Sequence, residues 1–135
     1  MSDENCIFCK IVSGQIPSTK IYETDNIYGF MDINPLSEGH CLFIPKKHAD
    51  THNRTDDASL AEILPAMKEV ANALGITTYN ILQNNGEIAH QEVFHTHFHL
   101  IPKPSMDKGL KMAWEPITDA DQDKAADQIN KELSK

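Results

Sequence analysis

Three histidines stand at alternate positions in the stretch Val93-Phe94-His95-Thr96-His97-Phe98-His99-Leu100-Ile101-Pro102. A neutral imidazole acts as nucleophile, general acid or base, or metal ligand, depending on what its second nitrogen binds. The mix of aromatic and β-branched residues with period two predicts a strand, with His95, His97 and His99 on one face and Phe94, Phe98 and Leu100 turned to the core. Three imidazoles in succession forgo apolar packing at three positions, which marks their face as a site. At a rise of about 3.3 Å per residue the outer two lie roughly 13 Å apart, too far to converge on one ion with bonds near 2 Å. The three histidines therefore have different tasks.

A second set of reactive residues is the C-x-x-C pair Cys6 and Cys9. A redox dithiol is expected at a helix start after a strand, and no strand-like run precedes Cys6. Two unrelated buried thiols are an alternative. Half of a zinc site is favoured, on condition that two more ligands exist elsewhere. Cys41, within the apolar run Cys41-Leu42-Phe43-Ile44, is expected to be a small buried hydrophobe.

The elements that must position these residues can be outlined from pattern. Cys6 to Val12 is a helical turn closed by Ser13-Gly14. Lys20 to Glu23 and Ile27 to Met31 form a hairpin around Thr24-Asp25-Asn26, and His40 to Ile44 is a third strand ended by Pro45. Leu60, Ile63, Leu64, Met67, Val70 and Leu74 recur at helical spacing, predicting a helix capped by Ser59, perturbed at Pro65 and ended by Gly75. Thr78 to Gln83 is a fourth strand, whose loop brings Asn84 and Gln91 beside the histidines. A charged helix is expected over Asp119 to Leu133, and Trp114 is read as an interface residue rather than core filler.

The 135 residues suit one domain, 1–135, with a core at about 5–103 and a C-terminal extension at 104–135. A formal net charge of −8 without a basic run disfavours a nucleic-acid partner, though a mononucleotide in a pocket is compatible with it. No apolar run approaches membrane-spanning length, the start Met1-Ser2-Asp3-Glu4-Asn5 lacks signal-peptide features, and three cysteines make no disulfide framework. A cytoplasmic protein without a membrane partner is expected.

Several segments together resemble the histidine-triad (HIT) family, in particular zinc-bearing, bacterial-like members of its Hint-type branch. They are Cys-Ile-Phe-Cys-Lys-Ile, Gly-Gln-Ile-Pro-Ser, Met31-Asp32-Ile33, Gly39-His40, Ile44-Pro45-Lys46-Lys47-His48, Gln83-Asn84-Asn85-Gly86 and His-Thr-His-Phe-His-Leu-Ile-Pro. The resemblance implies an α+β fold with a five-stranded antiparallel sheet and two main helices, a homodimer, and a purine nucleotide bound with its α-phosphate at the triad. It implies a hydrolase for purine nucleoside phosphoramidates or adenylates that works through a nucleotidyl-histidine on His97. His99 would assist at the phosphate and His40 would orient the group. Asp32 would hold the ribose, Ile7, Phe8, Ile11 and Ile33 the base, and the Asn84 and Gln91 amides the phosphoryl oxygens. Cys6, Cys9, His48 and His95 would close a structural zinc site. Alternatives are a dinucleoside polyphosphate hydrolase and a nucleotide-binding interaction protein with little turnover. The chain departs from the family pattern at His90, where glycine is usual, and at Glu92, where a hydroxyl residue is usual. A carboxylate at that position repels phosphate and would favour a cationic leaving group.

Overall fold

The computed structural model describes residues 3–135, so Met1 and Ser2 of the polar start lie outside it. Five strands, β1 (Lys20–Glu23), β2 (Ile27–Met31), β3 (Cys41–Pro45), β4 (Tyr79–Gln83) and β5 (Phe98–Pro102), form one antiparallel sheet in the order β1-β2-β3-β5-β4. Helices α1 (Ile7–Val12), α2 (Asp57–Leu74) and α3 (Gln122–Leu133) complete the fold.

Side chains alternate across the central strands, so the sheet has two differently used faces. On one, Ile63, Ala66, Met67 and Ala71 of α2 pack against Ile27, Cys41, Phe43 and Leu100. On the other, Phe8 and Cys9 of α1, with Cys6, meet Tyr28, Phe30, Leu42 and Ile44. β5 pairs His99 with Leu42 and Leu100 with Cys41, which puts His99 on the α1 face. α2 covers the back of the sheet and α1 frames the functional side.

α2 begins earlier than the apolar pattern suggests. Asp56 is the N-cap, accepting from the Ser59 N–H at 3.1 Å, and Ser59 instead bonds back to that carboxylate. An aspartate at the N-cap also carries charge favoured by the helix dipole. Pro65 does not displace the start, because it lies on the exposed side, where water can reach the carbonyl left without a partner. Gly75 ends the helix in the left-handed conformation at φ 68°.

The histidine stretch is not the continuous strand that its pattern predicts. Only His99 lies in a strand, since β5 starts at Phe98, and His95 and His97 precede it in irregular backbone. The loop after β3 displaces the strand there. Thr96 donates its N–H to the Ala49 carbonyl at 2.8 Å and is fully buried with Thr55, and Phe94, expected in the core, is exposed. α3 begins at Gln122 with Asp121 as its cap, a little after the expected start, and Trp114 is 84% exposed, which excludes the core role.

Candidate active site

The three histidines face three different surroundings. His95 turns to the cysteines, His97 to an open cleft and His99 to His40. The hydrogen bonds define the tautomer of each ring in its neutral state.

His97 donates Nδ1–H to the carbonyl of His95 at 2.7 Å, which leaves Nε2 as the unprotonated nitrogen of a residue lining the cleft. Phe8 packs edge-on against this ring, with centroids 5.1 Å apart. Burial lowers the proton affinity of His97 and keeps it a base at neutral pH. Beyond it, the backbone N–H of Leu36 donates to His40 Nδ1 at 3.0 Å, so the ring proton of His40 sits on Nε2. That nitrogen donates to His99 Nδ1 at 2.9 Å, and the proton of His99 is thereby placed on Nε2. The rings of His97 and His99 are 5.1 Å apart. A ring with a lone pair and a ring with an N–H donor are thus neighbours in the cleft wall, a combination that can attack an electrophilic phosphorus and hold one of its oxygens. Burial, followed by the neighbouring His97 and His40, pushes His99 down to about 4, so the relay remains neutral.

Asp32 ends the β2 segment. Its Oδ1 accepts the Asn34 N–H at 2.7 Å, and Oδ2 lies 3.4 Å from His40 Nε2. Asp32, His40 and His99 are close enough to suggest a cation site. The tautomers argue against it, because His40 presents a proton there rather than a lone pair.

The cleft has a volume of about 600 Å³, in the range of small-molecule sites. Ile7, Phe8, Ile11, Asp32, Ile33 and Asn84 all line it. Ile33 is 90% exposed, a position core packing does not explain. Gln91 departs from expectation. It is buried, its Nε2 donates to the carbonyls of Asp50 at 2.6 Å and Val93 at 3.0 Å, and its Oε1 accepts the Gly86 N–H. With both amide hydrogens engaged, Gln91 pins the loop and does not reach phosphate. Nothing in the residue type marks Leu36, whose N–H sets the relay, because every non-proline backbone offers the same donor.

Behind His97, Cys6, Cys9, His48 and His95 converge. Cys6 Sγ is 3.3 Å from His95 Nδ1, Cys9 Sγ is 3.4 Å from His48 Nδ1 and 3.6 Å from His95 Nδ1, and the two Nδ1 atoms are 3.1 Å apart. A tetrahedron with zinc–sulfur bonds of about 2.3 Å and zinc–nitrogen bonds of about 2.0 Å has edges of roughly 3.3–3.8 Å, so these four donors fit zinc. His95 Nε2–H donates to the Pro45 carbonyl at 2.8 Å and His48 Nε2 meets Asp50 at 3.0 Å, leaving both Nδ1 lone pairs for the ion. The C-x-x-C spacing has its own logic: Cys6 caps α1 by accepting the Cys9 N–H.

On one face of the five-stranded sheet, a ring with an unprotonated nitrogen, His97, lies next to a ring that carries an N–H donor, His99. A model of the HIT domain matches residues 13–106, and the chain belongs to the HIT family. It is 54% identical over 110 residues to the adenosine 5'-monophosphoramidase of Schizosaccharomyces pombe, covering 82% of this chain and 83% of that protein. It is 49% identical over 131 residues to the enzyme of the same name from Saccharomyces cerevisiae, covering 97% and 82%. A crystal structure of a histidine triad nucleotide-binding protein from Candida albicans superposes with a TM-score of 0.87 at 44% identity, covering 96% and 97% of the two chains.

Proposed function

We propose that this chain is a hydrolase that cleaves the phosphorus–nitrogen bond of purine nucleoside 5'-phosphoramidates, adenosine 5'-monophosphoramidate among them. The observation that carries this reading is the pair of oriented rings, the His97 Nε2 lone pair beside the His99 Nε2–H. His97 Nε2 attacks phosphorus and the phosphorus–nitrogen bond breaks. Its electron pair goes to the nitrogen, which departs as amine after taking a proton from solvent. Water then attacks the nucleotidyl-imidazole, releasing nucleoside monophosphate and restoring His97. His99 holds a phosphoryl oxygen, and His40 acts through His99 as a positioning residue. Asp32 accepts from the ribose hydroxyls, Ile7, Phe8, Ile11 and Ile33 receive the base, and Asn84 lies at the phosphate side.

Zinc held by Cys6, Cys9, His48 and His95 would tie α1 to the segment that carries His97 and supply structural constraint. Its donor set is closed, and no step passes through it. One domain spanning 1–135 with its core at about 5–103 carries all of these residues. We assign it to the cytoplasm, supported by three cysteines of which none is in a disulfide; no described helix is long and apolar enough to cross a membrane. A homodimer is supported by Tyr79 and Ile81, apolar and exposed on the edge strand β4, and by exposed Trp114.

The test is release of adenosine monophosphate from adenosine 5'-monophosphoramidate by the full chain and by His97→Ala. Turnover is expected from the full chain and none from His97→Ala. Binding of the nucleotide without turnover by the unaltered chain would overturn the hydrolase reading in favour of a binding protein.

A further inference from the structure

A cleft that receives a phosphoryl group usually offers it cations. This one offers carboxylates. Its titratable wall consists of Asp32, Glu92, His40, His90, His97 and His99, and among the described residues no lysine or arginine lines it. Burial disfavours the charged form of His40 and His99. Asp32 has the ribose hydroxyls as partners in the proposed reading, whereas Glu92 has no assigned task. It is exposed, sits in the loop between β4 and β5, and lines the same cleft as His97. The loop is anchored next to it by the bonds of the Gln91 side chain to Asp50, Gly86 and Val93. α1 and the β2–β3 loop supply the base and ribose contacts, so this loop is left to meet the group expelled from phosphorus.

We propose that Glu92 is a specificity-determining residue that faces the leaving group and favours substrates expelling an amine over substrates expelling an anion such as sulfate or phosphate. The inference rests on the nucleotidyl-transfer reading of the cleft and narrows it. When the phosphorus–nitrogen bond breaks, the nitrogen has taken a proton from solvent and carries positive charge, and the carboxylate attracts it. When a phosphorus–oxygen bond to sulfate or phosphate breaks, the departing oxygen gains negative charge and the same carboxylate repels it. Two carboxylates also disfavour the several negative charges of a dinucleoside polyphosphate, which weighs against that alternative substrate. Because Glu92 is exposed, solvent and salt screen the effect, and its expected size is about tenfold rather than a thousandfold.

The experiment compares kcat/KM for an adenosine phosphoramidate of an aminoalkyl amine with kcat/KM for adenosine 5'-phosphosulfate, in the unaltered chain, Glu92→Gln and Glu92→Asp. The phosphoramidate-to-phosphosulfate ratio should fall by about tenfold in Glu92→Gln, stay within about threefold in Glu92→Asp, and narrow at high salt in the unaltered chain only. An unchanged ratio in Glu92→Gln overturns the proposal, while turnover itself leaves the hydrolase reading standing. A second arm measures calorimetric affinity for two unreactive esters of adenosine monophosphate, aminoethyl and carboxymethyl. Preference for the aminoethyl ester, lost in Glu92→Gln, supports the role of Glu92 even if no substrate is turned over. Equal affinities in the unaltered chain refute it.

Discussion

Replacing His40 by alanine tests the relay from backbone to catalytic ring. His40 is 3% exposed, receives the Leu36 N–H at 3.0 Å and donates to His99 Nδ1 at 2.9 Å. Removing it strands a partly buried backbone donor, which costs about 1–3 kcal/mol of a domain stability of about 5–15 kcal/mol, so the variant folds at moderate temperature. The catalytic cost follows from the second bond. A hydrogen bond of about 1 kcal/mol holds the proton of His99 on Nε2; without it the other tautomer, with a lone pair facing phosphate, competes, and kcat/KM falls about five- to tenfold. His99→Ala removes the donor itself and should cost about 10²–10³-fold. In the His99→Ala background, His40→Ala should change the rate by less than about twofold, so the coupling equals nearly the whole His40 effect, about 1 kcal/mol. The assay is kcat/KM for adenosine 5'-monophosphoramidate in the four-member cycle, at a temperature where all four are folded by circular dichroism. Equal penalties in both backgrounds would refute the relay and route the action of His40 through Asp32, 3.4 Å away.

Three further outcomes follow from the same geometry. His90 sits at φ 69°, where a non-glycine residue costs about 1–2 kcal/mol, and the extra unfolded-chain freedom of glycine returns about 0.5–1 kcal/mol of that. His90→Gly should therefore stabilise by about 0.5–1 kcal/mol in urea unfolding, and a destabilised variant would show that the imidazole makes a contact that matters more. Chelation, or Cys9→Ser, should lower the thermal midpoint by at least about 5 °C with activity declining only as the fold loosens, whereas immediate loss of activity at unchanged stability would make the metal catalytic. His99 is lowered to about 4, so the unfolded chain binds more protons between about pH 4 and 6.5. Stability is thus fully present above that window and lost as pH falls through it. His99→Gln should flatten the slope of thermal midpoint against pH, and an unaltered slope would contradict the burial of a neutral ring.

Much of this site was legible in residue types. The C-x-x-C pair, His48 and His95 could be assigned through the family resemblance, and the structure brings all four together, because metal donors need particular atoms that few residues carry. The hairpin β1–β2 and the end of α2 were equally plain, since Asp25-Asn26 and Gly75 have specific backbone preferences. The strand through His95 was misplaced because period two cannot reveal that Thr96 pairs with Ala49 of a distant loop instead of a neighbouring strand. Gln91 was misassigned for a related reason: an amide suits phosphate and backbone alike, and only the positions of Asp50 and Val93 decide between them. Separate tasks for the three histidines were expected from a strand spacing that only His99 keeps, and their tautomers required the Leu36 N–H and the His95 and Pro45 carbonyls.

The central claim is that His97 becomes covalently bonded to phosphorus. Intact-protein mass spectrometry, avoiding acid and within the first turnovers after mixing with an adenosine phosphoramidate, tests it directly on the unaltered chain, His97→Ala and His97→Gly. A transient adduct of one adenosine monophosphate is expected on the unaltered chain and none on either variant. Product formed by the unaltered chain with no adduct at any time, or an adduct that persists in His97→Ala, would contradict it.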